Sequence, residues 1–62
     1  LPEDERCVGW RKQLVVHRRN LERLEFQKAQ YGNSDVPLRI LNQIDDEQAE
    51  IKCLEVLLGH WN

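Results

Sequence analysis

Apolar positions along this chain recur at alternating spacings of three and four on both sides of one break, Tyr31-Gly32-Asn33-Ser34-Asp35-Val36-Pro37. Counted back from the break, the row runs Tyr31, Lys28, Leu24, Leu21, His17, Leu14, Trp10, Cys7; counted forward, it runs Pro37, Ile40, Ile44, Glu47, Ile51, Leu54, Leu58, Trp61. That spacing keeps one stripe on one side of an α-helix, so each half predicts an amphipathic helix. Folding the chain back at the break sets the two stripes opposite one another, level by level. The expected fold class is therefore all-α, an antiparallel two-helix hairpin over about residues 4–31 and 37–58.

Local signals support these bounds. Pro2 followed by Glu3, Asp4 and Glu5 suits a first helical turn and its partial positive charge. Gly9 weakens the interior by about 1 kcal/mol, which places fraying in the first turns or moves the helix start toward Trp10. Gly32 stands where a left-handed C-terminal cap is wanted, and Asn33-Ser34-Asp35 continues as loop chemistry. Pro37 holds Val36 extended and is preformed for a helix start, with Ser34 or Asp35 as capping side chains. Gly59 is the expected stop of the second helix. The Tyr31 ring is expected to pack over the turn, level with Pro37.

The length of 62 residues bounds what such a hairpin can do alone. A core of this size rarely supplies more than ~3–5 kcal/mol without staples or partners, and a lone hairpin leaves the outer side of each helix wet. Residues Leu54, Val56, Leu57, Leu58 and Trp61 are apolar on more than one side of their helix, and Val8, Trp10, Val15 and Val16 lie on the facing one. One partner helix cannot cover all of them, so an apolar patch is expected at the open end, as on an association surface. The expected core and association residues are Trp10, Leu14, Leu21, Leu24, Ile44, Ile51, Leu54, Leu57, Leu58 and Trp61, with Tyr31, Gly32, Val36 and Pro37 forming the turn. Dimerisation into a four-helix bundle would bury the rest.

Charge sharpens the picture. The chain carries a net charge of −2, but the first helix holds six bases against two acids from Arg11 to Lys28, and the second holds six acids against two bases from Asp35 to Leu58. The helices should attract one another, within a chain or between chains, which selects pairing and orientation more than it stabilises. Lys28 and Glu47 are polar members of the seam; Lys28 is expected to snorkel past Ile40, and Glu47 to reach Arg18 or Arg23. His17, on the seam opposite Ile51, reads as a partly buried packing residue hydrogen-bonded to a neighbour, not as a catalyst.

Candidate chemistry is sparse. The bases Arg11, Lys12, Arg18, Arg19 and Arg23 could follow a phosphate backbone as a nucleic-acid-binding arm of a larger enzyme. The acidic chain, the matching acids of the second helix and the lack of interleaved aromatics all weigh against that alternative. Two histidines and two cysteines are dispersed, and Cys7 with His60 at the open end does not make a structural zinc site. Asp45, Asp46, Glu47 and Glu50 have no histidine at the spacing a di-iron helix pair requires. The single serine, Ser34, has neither a neighbouring base nor a cleft. No catalytic, cofactor-binding or metal-ligating residue is assigned, and no enzyme activity is expected.

Register places Cys7 level with Trp61 and Cys53 level with Val15, eight residues or roughly 12 Å apart along the bundle, so the two are expected to be free thiols in a reducing cytoplasm. No stretch approaches the ~20 apolar residues of a membrane span, and no basic-then-apolar leader is present. The start at Leu1 and the absence of methionine suggest a single helical-hairpin module, residues 1–62, excised from a longer protein.

The segment Arg19-Asn20-Leu21-Glu22-Arg23-Leu24-Glu25-Phe26-Gln27-Lys28-Ala29-Gln30-Tyr31-Gly32, followed by Asp35-Val36-Pro37, Leu41, Asn42, Ile44 and Glu50-Ile51, resembles a short helical-hairpin adaptor module of bacterial multidomain signalling and conflict proteins. There it is tethered to STAND-type nucleotide-binding, TIR or caspase-like domains. The resemblance covers residues 19–58, and its distinctive part is the Gln-x-Ala-x-Tyr-Gly turn followed by Val-Pro. It implies a non-enzymatic association module that clusters effector domains, with itself or a like helical hairpin in another protein as the partner. No catalytic residue is carried over.

Overall fold

The structure, a computed structural model, describes residues 5–32 and 35–59. It is an all-α hairpin: α1 spans Glu5–Gln30 and α2 spans Leu38–Gly59, packed side by side in a rod of 50 × 15 × 14 Å. Helix α1 begins at Glu5 and runs through Gly9, so the interior glycine does not delay its start to Trp10. Its cost of about 1 kcal/mol is small against 26 helical residues that share one interface.

The turn is built largely as its residues dictate. Gly32 has φ +63°, a left-handed conformation that residues with a Cβ resist. The last turn tightens ahead of it, with Tyr31 N–H donating to the Lys28 carbonyl and Gly32 N–H to the Ala29 carbonyl, each at 3.1 Å. On the far side the Pro37 carbonyl accepts from Ile40 N–H at 3.0 Å and from Leu41 N–H at 3.3 Å. Accepting the first bonds of the ladder puts Pro37 itself in the N-cap position, one residue before α2 begins. The cap was expected at Ser34 or Asp35; Ser34 lies outside the described residues, as do Asn33, His60 and Trp61. Gly59, expected as a stop, is the last residue of α2.

The core follows the seam. Cys7, Leu14, Ile40, Ile44 and Leu54 are buried, and all five belong to the alternating row. Trp10, His17, Leu21, Leu24, Glu47, Ile51 and Leu58 are half-buried on the same row. The row opens at the turn, where Lys28 and Tyr31 are exposed instead of core-facing. Lys28 has a cheap route to water along its stem, and beside the turn there is no further helix level to cover either residue. Both cysteines are free, Cys7 buried and Cys53 exposed. Among the described residues, no helix is long and apolar enough to cross a membrane.

Candidate association surface

Seam residues alternate between two sides of the hairpin because successive members of a 3-4 row point left and right of the interface. Cys7, Leu14 and Leu21 of α1 fall on one side with Ile44, Ile51 and Leu58 of α2; Trp10, His17 and Leu24 fall on the other with Ile40, Glu47 and Leu54. The first set is apolar up to the turn end, where the next member of its row, Lys28, borders the same groove as Ile44. The second is interrupted at its centre by His17 and Glu47, which meet: His17 Nδ1 lies 2.6 Å from Glu47 Oε2, with the side chains 25% and 20% exposed.

This pairing departs from the expected one. Glu47 was expected to reach Arg18 or Arg23; it turns to His17, and Arg18 spans the opposite side to Glu55, Nη2 to Oε2 at 3.0 Å. The reason is geometric. His17 and Glu47 lie on the same side of the interface, whereas Arg18 is 100° further around α1 and faces away from Glu47. The two contacts lie one on each side of the interface. The Arg18–Glu55 bridge is more than half exposed and contributes little by itself.

Of the expected core and association residues, Leu14, Ile44 and Leu54 are buried within the hairpin, while Trp10, Leu21, Leu24, Ile51, Leu57 and Leu58 are half-buried; Trp61 lies outside the described residues. Turn residues Val36 and Pro37 are half-buried, and Tyr31, though exposed, borders Ile40 and Arg39. Around the open end Val8, Val15, Val16 and Val56 are 40–57% exposed, in line with the expected apolar patch. Sequence reasoning did not single out Phe26 and Leu38 as surface residues, yet they are 67% and 70% exposed. Both fall off the 3-4 row, and that was the available signal.

Open grooves run along both sides of the hairpin. Asn20, Arg23, Leu24, Gln43, Asp46 and Glu47 line one side at mid-length. Arg11, Leu14, Val15, Arg18, Glu55 and Leu58 line the other toward the open end. The bases Arg11, Lys12, Arg18, Arg19 and Arg23 are all exposed, with Arg18 engaged by Glu55 and Arg23 sharing its groove with Asp46 and Glu47. No group of three or more His, Cys, Asp or Glu side chains among the described residues is placed to hold a metal ion. Compared with protein-family models, curated proteins and solved structures, the chain finds no match.

Proposed function

We propose that this hairpin is a non-enzymatic protein–protein association module that pairs with a second copy of itself as a dimeric four-helix bundle and thereby clusters the signalling or effector domains joined to it. One observation carries the reading. Among the described residues the hairpin buries only Cys7, Leu14, Ile40, Ile44 and Leu54, while six of the large apolar side chains expected to hold it together remain half-buried. A helix pair must bury its stripe to be stable, and two helices leave this one half-covered. A second layer supplies the missing cover.

The resemblance to bacterial adaptor hairpins supports the same reading, since those modules sit beside nucleotide-switch, TIR or caspase-like domains and act by bringing them together in the cytoplasm. Recruitment of a like hairpin from another protein is the hetero-association form of the same activity. The nucleic-acid alternative gains no support from the geometry, because Arg11 and Arg18 share their groove with Glu55, and Arg23 shares its own with Asp46 and Glu47.

Folding coupled to self-association makes the melting temperature depend on chain concentration. Thermal unfolding by circular dichroism over a hundredfold concentration range should show the midpoint rising with concentration. A midpoint independent of concentration, in a fully helical chain, would refute self-association; a chain that is partly unfolded alone and folds on adding a candidate hairpin would transfer the activity to a hetero-partner.

A further inference from the structure

The two sides of the hairpin are unequal as seats for a second copy. On the side rimmed by Arg11, Arg18 and Glu55 the seam is apolar through the middle and open end of the hairpin, with Leu21, Ile51 and Leu58 half-buried, and its one polar member, Lys28, stands exposed at the turn end beside Ile44. The other side carries the His17–Glu47 pair at its centre, and burying that pair under another helix layer would desolvate both groups. The apolar side is the cheaper one to cover.

Orientation follows from charge. A self-complementary dimer has a two-fold axis, and two identical layers can face one another about an axis along the helices or about one across them. The first puts α1 of one copy over α2 of the other; the second puts α1 on α1 and α2 on α2. Helix α1 carries seven bases and three acids, and α2 carries two bases and five acids, so the first arrangement is attractive and the second repulsive. The crosswise arrangement also brings Arg18, at the midpoint of α1, against its own copy. In the lengthwise arrangement Arg11 of one copy lies within about two residues, ~3 Å along the axis, of the level of Glu55 in the other.

We propose that the second copy docks on the Arg11–Arg18–Glu55 side about a two-fold axis parallel to the helices, so that both turns lie at one end of the bundle and the helix ends near Glu5 and Gly59 of both copies lie at the other. The inference rests on the self-association proposed above. Its consequence is polarity: domains joined to either end of the hairpin emerge together from one end of the bundle.

Spin labels test the orientation. Gln30 is exposed at the turn end of α1 and borders the groove on the side away from the proposed contact, so Gln30→Cys in a Cys7→Ala, Cys53→Ser chain reports without entering the interface. Pulsed dipolar spectroscopy should give a label separation near ~25–30 Å, the diagonal of a four-helix bundle plus two linkers. A dominant separation of ~40 Å or more, the distance between opposite ends, would overturn the arrangement while leaving self-association intact. A monomer by sedimentation with no dipolar signal would remove self-association itself.

Charge reversal tests the docking side at two exposed positions, with helicity by circular dichroism read beside the mass so that loss of the hairpin itself is seen separately from loss of the dimer. Arg11→Glu should weaken dimerisation roughly tenfold at low salt, and Arg23→Glu, on the other side, should leave it within about twofold. Equal effects, or the larger effect at Arg23, would overturn the assignment.

Discussion

Leu54→Ala removes a branched side chain from a buried level of the hairpin. Leu54 is 4% exposed and stands level, in the register of the hairpin, with Leu14, itself buried. The lost transfer free energy is about 2.4 kcal/mol, at ~0.8 kcal/mol for each of three carbons. The cavity left against neighbours that relax only partly raises the expected cost to about 2.5–4 kcal/mol. For a domain of this size that is a fall of roughly 20–30 °C in melting temperature, and it approaches the whole stability that so small a core can hold. Leu38→Ala is the matched control: the same atoms leave a residue that is 70% exposed, so the change should stay within about 0.5 kcal/mol. Urea unfolding of both variants beside the parent chain, at one fixed protein concentration, measures the difference. Equal midpoints for Leu54→Ala and Leu38→Ala would show that the seam does not carry the fold.

Other positions give smaller, signed effects. Gly9→Ala should stabilise the chain by about 0.5–1 kcal/mol, since Gly9 lies inside α1 and an added Cβ there meets nothing within 4 Å. Gly32→Ala should destabilise it by about 1 kcal/mol through backbone strain alone, because the site is equally open but φ is +63°; thermal melts of the two variants should move in opposite directions. A double-mutant cycle on His17→Ala and Glu47→Ala should return a coupling of about 0.5–2 kcal/mol for the half-buried 2.6 Å pair, whereas the same cycle on Arg18 and Glu55 should return less than about 0.5 kcal/mol. Leu24→Ala should cost less than Leu54→Ala, because Leu24 is only half-buried, and a melting curve that it leaves unchanged would show the 3-4 row misplaced there.

Periodicity carried most of the fold. Among the described residues every buried one, from Cys7 to Leu54, lies on the row that alternates three and four, because a helix pair has only one interface and burial repeats with the helical turn. The left-handed Gly32 was legible for the same kind of reason: a residue without a Cβ directly after an amphipathic run has few other uses. Side-chain partners were less legible. Levels along the hairpin suggested that Glu47 would meet Arg18 or Arg23, but which of two equally near side chains a carboxylate finds depends on the angle around each helix as well as on height. The exposure of Lys28 and Tyr31 was hidden too, since a row of positions says nothing about where the turn stops supplying cover.

The half-covered stripe is what the functional reading stands on, and its most direct test is the mass of the isolated chain in solution. Sedimentation equilibrium at ~10–100 μM should give a particle near twice the 7.4 kDa chain mass, dissociating on dilution together with its helicity. A strictly monomeric species that is fully helical over that range would contradict the account, because the hairpin would then be stable with Trp10, Leu21, Ile51 and Leu58 left half in water.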